Sequence, residues 1–171
     1  MENTDDSQTA GSAVSLHLRP EQPGDEPWLF AVYAGSREAE LLLTDWDAAT
    51  RQAFLEMQFK AMRQGYRSMY PQAQFSIIVA DKTPAGRLVV DRQDKVIHVV
   101  DIALLPAYYG RGIGTAVMRG LLSEAERGSM NVRLCVRRDS RALRFYERLG
   151  FEPVADDGLD LGLEWRALKP G

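Results

Sequence analysis

Three glycines at alternate positions separate a β-rich segment from a segment with helical spacing, and this junction is the strongest constraint on the fold. Residues 96–105 are rich in β-branched side chains, and apolar residues recur at helical spacing beyond the glycines, at Ile113, Val117, Leu121 and Ala125. The strand therefore passes through Gly110, Gly112 and Gly114 directly into a helix. Glycines let the backbone approach a ligand closely, and the first helical turn leaves unpaired N–H groups pointing toward it. Together with Arg111 and the helix macrodipole, the junction predicts a site for a phosphate or pyrophosphate.

Residue spacing narrows the ligands that such a loop could bind. A Walker A loop needs Lys-Ser or Lys-Thr after its glycines, and neither follows here. In a Rossmann fingerprint, G-x-G-x-x-G, the third glycine would fall at position 115 or 117, and these positions are Thr115 and Val117. The spacing therefore disfavours both nucleotide-binding motifs. By itself it does not exclude a glycine-rich turn that binds no ligand.

The hydrophobic pattern predicts an α/β (α+β) domain. Alternating or β-branched runs predict strands over residues 14–18, 75–80, 86–90, 96–105, 132–136, 151–155 and 159–168. The second, third and fourth of these strands follow one another as hairpins. Helical spacing predicts a helical region from about Asp25 that breaks near Gly35, and further helices within 47–70, 113–127 and 142–149.

Length and composition are those of one globular domain. Of 171 residues, 45% are hydrophobic and 26% are charged, which suits a single catalytic unit with its own core. Residues 1–13 are small and polar, so we predict a disordered leader (1–13) followed by one domain (14–171).

Charge and cysteine content restrict the partners and the compartment. No apolar run approaches the roughly 20 residues of a membrane span, so no membrane partner is expected. The acidic N-terminus is unlike a signal peptide, and a single cysteine, Cys135, forms no internal disulfide, which favours the cytoplasm. We expect Cys135 to be a buried or half-buried core thiol. A net charge of -3 gives no general attraction to nucleic acid.

Two segments resemble motifs of the GNAT superfamily of acyl-CoA-dependent N-acyltransferases. The glycine loop is similar to motif A, [QR]-x-x-G-x-[GA], which follows a strand that ends shortly before a proline. Gly112 and Gly114 match this motif, Pro106 matches the proline, and Tyr109 stands where the family prefers Gln or Arg. Residues 139–151 resemble motif B, N-x-x-A-x-x-x-Y-x-x-x-G-F, with Asp in place of the Asn.

This resemblance implies a single GNAT-like domain with a bent, mixed and mostly antiparallel sheet of about seven strands flanked by about four helices. Its fourth and fifth strands splay apart, and acetyl-CoA enters the gap as co-substrate. The residues implied to contact it are Ile102, Ala103 and Leu104 along pantetheine, Tyr109, Gly110, Arg111, Gly112, Ile113, Gly114 and Thr115 around the pyrophosphate, and Asp139. Asp139 is also expected to be the N-cap of its helix. No metal site is predicted.

The same resemblance assigns catalytic roles. Tyr146 is implied to be the general acid beside the CoA sulfur, and a backbone N–H in residues 103–105 to hold the acyl carbonyl. Two residues are candidates for the general base. One is His98, whose ordinary pKa of about 6.5 suits removal of an amine proton, and the other is Asp101. In a regular strand these two side chains face opposite ways, so both reach the site only if a bulge lies between them.

These features predict an acyltransferase (EC 2.3.1.-) that transfers an acetyl group directly to a primary amine of a small molecule or protein in a ternary complex. The alternative is a non-catalytic, acyl-CoA-binding regulatory module. Tyr66, Tyr70 and Arg63 of the long helix are candidate acceptor contacts. No nucleic-acid partner is expected, and a homodimer is left open because dimers are common in the resembled family.

Overall fold

The structure, a computed structural model, describes residues 14–168. The strands of this part of the chain are β1 (Leu16–Pro20), β2 (Gln74–Ala80), β3 (Thr83–Arg92), β4 (Val96–Leu104), β5 (Asn131–Arg137), β6 (Glu152–Asp156) and β7 (Asp160–Trp165). The α-helices are α1 (Glu26–Leu41), α2 (Ala48–Met69), α3 (Ile113–Arg127) and α4 (Leu143–Arg148). The leader predicted for residues 1–13 lies outside the described residues.

The strands form one mixed sheet in the order β1-β2-β3-β4-β5-β7-β6. All neighbouring pairs are antiparallel except β4 and β5, which run parallel. The predicted fold class, a mostly antiparallel seven-stranded sheet with four α-helices, is confirmed for the described residues. None of the helices in residues 14–168 is long and apolar enough to span a bilayer.

The parallel contact between β4 and β5 is short. Pairing runs only from Val96↔Asn131 to His98↔Arg133, although β4 continues to Leu104. The two strands therefore diverge after His98, and the edge of β4 that faces β5 has no strand partner beyond that residue. This is the predicted splay, and it leaves backbone N–H and C=O groups free for a ligand.

Helices cover the two faces of the sheet in two separate layers. On one face, α1 and α2 pack on Ile77 and Val79 of β2 through a cluster that includes Leu29 and Phe59. On the other face, α3 and α4 pack on β3, β4, β5 and β7 through the larger core cluster. The site described below lies where these layers meet the gap between β4 and β5.

A β-bulge in β4 changes which face its side chains occupy. Val89 pairs with Asp101 but Val90 pairs with Val99, so Val100 is the extra residue. Before the bulge, Ile97 and Val99 belong to the α3/α4 core, whereas beyond it Ile102 and Leu104 pack there. His98 and Asp101 consequently share the opposite face, which α1 and α2 cover.

Local signals explain where the helices around the site begin and end. Asp47 accepts a hydrogen bond from the backbone N–H of Thr50 at 2.7 Å and so caps α2. The same helix ends at Met69, before Pro71, as predicted. α3 begins at Ile113 and ends before Gly128.

The sequence predictions for Gly35 in α1 and for Cys135 in β5 are wrong. α1 does not break near Gly35 but continues to Leu41; a glycine costs only about 1 kcal/mol inside a helix, which packing of the helix on the sheet can offset. Cys135 is exposed rather than in the core. Along β5, Val132 and Leu134 point into the α3/α4 core, so Cys135 points to the other face, where the helices do not cover it.

Candidate active site

A cleft of about 920 Å³ opens beside the C-terminal part of β4, between the start of α3 and α4. Most of the residues predicted to bind CoA line it: Ile102, Ala103, Leu104, Tyr109, Gly110, Gly112, Ile113, Gly114 and Thr115. The α4 side contributes Phe145 and Tyr146, and α1 contributes Ser36. One cavity thus brings together the two segments that carry motifs A and B.

The glycine loop forms the end of the cleft nearest α3. Gly110 and Gly112 have φ values of 70° and 76°, in the left-handed region that favours glycine. Gly112 is the N-cap of α3, and its carbonyl accepts the first helical hydrogen bond, from Ala116 N–H at 2.9 Å. The N–H groups of Ile113, Gly114 and Thr115 precede that bond and have no acceptor within the helix. They are suited to bind an anionic oxygen.

Four predicted site residues do not line this cleft: Arg111, Asp139 and the two candidate bases, His98 and Asp101. Arg111 lies beside it, with its guanidinium 5.2 Å from the centre of the Tyr108 ring. Asp139 is exposed and accepts a hydrogen bond from Arg137 Nε at 3.2 Å. The prediction that Asp139 caps α4 is wrong, because Ser140 Oγ instead accepts from a backbone N–H there, that of Ala142 at 3.2 Å.

The cleft is positively charged although the chain carries a net charge of -3. None of the described residues that line it is acidic, whereas Arg141 and Arg148 both line it. The nearby Arg137 and Arg138 pair with Asp139 and Asp156, but neither cleft arginine pairs with a carboxylate in residues 14–168. Their charges are available to an anionic ligand.

Tyr146 brings a phenol to the inner wall of the cleft. Its ring is buried, with the rings of Phe145 and Phe151 at centroid distances of 5.1 and 5.7 Å. Burial, and secondarily the charge of Asp101, raise the pKa of Tyr146 to about 12. The phenol therefore keeps its proton at neutral pH and can donate it or a hydrogen bond.

Asp101 is held in a buried ion pair. Arg87 Nε donates to Asp101 Oδ2 at 2.6 Å, and both side chains are largely buried, with 8% and 15% of their surfaces exposed. Asp101 directly precedes Ile102, which lines the cleft, but Asp101 itself lies on the face that α1 and α2 cover and does not line the cleft.

His98 lies on the same face as Asp101, on the other side of the bulge. Its ring packs against Tyr70, with 5.9 Å between the ring centroids. Burial, followed by the charge of Arg133, lowers the pKa of His98, and Asp91 opposes the shift. The imidazole is therefore largely neutral at pH 7 and able to accept a proton, but it does not line the cleft.

The α2 residues considered as acceptor contacts differ in their surroundings. Tyr66 is partly buried near Asp101, and its pKa is raised to about 12, first by burial and then by that carboxylate. Arg63 forms an ion pair with Glu21, so its charge is already neutralised. Tyr70 adjoins His98. The charges of Asp101 and Arg87 act on the pKa of Tyr66 in opposite directions, Asp101 raising it and Arg87 lowering it.

Arg87 and Leu105 show what sequence reasoning missed. Arg87 was not identified as a site residue, although an arginine inside the apolar run of β3 is itself a signal, because such a charge needs a buried partner. Leu105 was included among the backbone donors for the acyl carbonyl, but its N–H donates to Ala85 O at 2.8 Å. The Leu105 N–H is therefore not free to bind another acceptor.

The fold and the cleft define a class of protein, and comparison with known families agrees. Residues 38–168 match the Acetyltransferase (GNAT) domain. This match spans more than half of the chain, so the chain belongs to the GNAT acetyltransferase family, as its motifs predicted. Acetyl-CoA is the co-substrate that membership of this family indicates. No curated protein is significantly similar to the chain.

Solved structures share the fold at low sequence identity. PaiA N-acetyltransferase from Thermoplasma acidophilum, in complex with coenzyme A, is 20% identical with a TM-score of 0.66 over 89% of this chain and 99% of that one. Ard1 from Thermoplasma volcanium is 21% identical with a TM-score of 0.58 over 91% and 100%. Naa50 from Arabidopsis thaliana, in complex with the bisubstrate analogue CoA-Ac-MVNAL, is 15% identical with a TM-score of 0.58 over 89% and 99%.

Proposed function

We propose that this chain is an N-acetyltransferase that transfers an acetyl group from acetyl-CoA directly to a primary amine of a small molecule or protein. The observation that carries the proposal is the cleft. It joins a helix start with free N–H groups, an acid-free wall bearing two arginines, and a buried, protonated tyrosine. These three elements match the anionic and thioester parts of acetyl-CoA.

In the proposed complex, the pyrophosphate lies against the N–H groups of Ile113, Gly114 and Thr115. Arg141 and Arg148, on the opposite wall, neutralise the remaining phosphate charge. The pantetheine arm follows the free edge of β4 toward Tyr146. The coenzyme A bound to the Thermoplasma acidophilum relative supports this use of the fold.

The proposed chemistry begins with an acceptor that arrives as an ammonium ion. Asp101 accepts one ammonium proton and passes it to solvent, and the freed nitrogen lone pair attacks the thioester carbon. The C–S bond of the tetrahedral intermediate then breaks as its nitrogen loses a second proton. Tyr146 donates a proton to the departing thiolate and regains one from solvent, so the products are an amide, CoA thiol and one released proton.

Asp101 is proposed as the base because it directly precedes Ile102, which lines the cleft, and because its Oδ1 accepts no hydrogen bond from residues 14–168. His98 is the competing base, since its lowered pKa keeps it neutral. Two variants separate them. If Asp101 is the base, Asp101→Asn lowers kcat by about 10²-fold or more, whereas His98→Gln changes it several-fold at most. If His98→Gln lowers kcat more than Asp101→Asn does, His98 is the base.

Acetyl-CoA binding and turnover test the function itself. We expect calorimetry to detect acetyl-CoA binding, and thiol release to rise when primary amines are added from a panel of alkylamines, amino acids, polyamines and peptides. Absence of binding contradicts the proposal. Binding without thiol release on any amine class would instead identify a non-catalytic acyl-CoA-binding module.

A further inference from the structure

Arg87 of β3 is a charged residue buried beside the proposed base. Its side chain is more than nine-tenths buried, and its Nε donates to Asp101 Oδ2 at 2.6 Å. Asp101 Oδ1 accepts no hydrogen bond from any residue in 14–168. One carboxylate oxygen is therefore fixed and the other is free to bind an incoming group.

The other two nitrogens of the Arg87 guanidinium form at most weak hydrogen bonds with their neighbours. Arg87 Nη2 lies 3.9 Å from Met62 Sδ, and the guanidinium carbon lies 5.9 Å from the centre of the Tyr33 ring. Arg87 Nη1 is buried with no hydrogen-bond partner among the described residues. A buried arginine with an unsatisfied N–H group is costly, and pairs of this kind are weak contributors to stability. Stability alone does not account for this residue.

The position of the pair suggests what it does. Arg87 and Asp101 lie on the face that α1 and α2 cover, just beyond the residue at which β4 and β5 part. Tyr33 of α1 lies beside Arg87, and the charge of Asp101 acts on Tyr66 of α2 and on Tyr146 of α4. Arg87 is the cation that binds the Asp101 carboxylate directly.

We propose that Arg87 is a positioning residue for acetyl transfer. Its Nε–H fixes Oδ2 of Asp101, so that Oδ1 meets the acceptor ammonium. During turnover Oδ1 accepts the ammonium proton and returns it to solvent, while the Arg87–Oδ2 hydrogen bond persists. This role rests on the proposed function, with Asp101 as base.

The first test separates kcat from KM for the intact chain, measured by thiol release. Replacing Arg87 with Gln removes the guanidinium that fixes Oδ2 of Asp101, so the carboxylate loses its orientation and kcat should fall by more than KM changes. kcat/KM at pH 7 should fall about tenfold or more, while the acetyl-CoA dissociation constant stays within about twofold. Arg92→Gln is the matched control, because Arg92 is another β3 arginine paired with a carboxylate, that of Glu124, away from the cleft. It should leave both kcat and KM within about twofold of the parent values.

A double-mutant cycle guards against a misfolded variant. Arg87→Lys keeps the charge but loses the planar fork, and it should lower kcat/KM in the parent chain yet cost nothing further in the Asp101→Asn background. An equal loss in both backgrounds, or an unchanged kcat in Arg87→Gln, overturns the positioning role. A parent chain that releases no thiol on any amine contradicts the proposed function instead, so the two failures are distinguishable.

Discussion

Replacing Tyr146 with Phe tests the proposed general acid with little disturbance of the fold. The ring remains between Phe145 and Phe151, and no residue in 14–168 hydrogen-bonds the hydroxyl, so only the cleft loses a group. The free energy of unfolding should therefore change by no more than about 0.5 kcal/mol. Acetyl-CoA affinity should stay within about twofold, because the phosphates bind at the other end of the cleft.

Turnover should respond quite differently. General acid catalysis contributes about 10²–10⁴-fold to rate, so kcat for Tyr146→Phe should fall by about 10²-fold or more, equivalent to about 3 kcal/mol of transition-state free energy. Because the pKa of Tyr146 is raised to about 12, the parent enzyme should show no basic limb from this residue at pH 7–10.

Three measurements on purified variants check this prediction together. Thermal unfolding reports the fold, calorimetry reports acetyl-CoA affinity, and thiol release under saturating substrates reports kcat. If kcat is unchanged, Tyr146 is not the acid. If affinity or stability falls in parallel with kcat, Tyr146 is a structural tyrosine and the assigned role is refuted.

Three further outcomes are expected. Gly112→Ala should weaken acetyl-CoA binding at least several-fold, since alanine is strained at a φ of 76°, whereas Gly120→Ala inside α3 should leave calorimetric affinity unchanged and raise the melting temperature. Arg148→Gln should reduce the preference for CoA over dephospho-CoA in competition titrations. Arg144→Gln, on the same helix but outside the cleft lining, should leave this preference unchanged. Equal effects of the two variants would contradict a role for Arg148 in binding phosphate. Because the pKa of His98 is lowered in the fold, its stabilising contribution is complete above about pH 6.5 and is lost as the pH falls through the folded pKa. The melting temperature should therefore drop less between pH 7.5 and 5.5 in His98→Gln than in the parent chain.

The glycine loop before α3 could be predicted because the residues that define it are close together in the sequence. Gly110 and Gly112 indicate backbone conformations that few other residues adopt, and the apolar residues at helical spacing after them indicate a helix. The spacing of motif B similarly placed Tyr146 on a short helix before Gly150. Element types and order followed from these patterns, and boundaries were correct within a few residues.

Predictions that depended on packing were less successful. Helical spacing did not indicate that α1 would continue through Gly35, because docking of the helix on the sheet decides this. Alternation along β5 could not tell which face was covered, so Cys135 was placed in the core although it is exposed. Asp139 looked like a helix cap by residue type, but Arg137 binds its carboxylate.

For the candidate site, the sequence by itself identified the glycine loop that is proposed to bind an anion, the proposed general acid Tyr146 and the two candidate bases. Only the tertiary structure decided how they are arranged. The extra residue Val100 places His98 and Asp101 on one face, and the early end of the β4–β5 pairing opens the gap beside them. Arg87 meets Asp101 because two antiparallel strands align in this register. Strand register and bulges depend on contacts between segments far apart in the chain, which local periodicity does not encode.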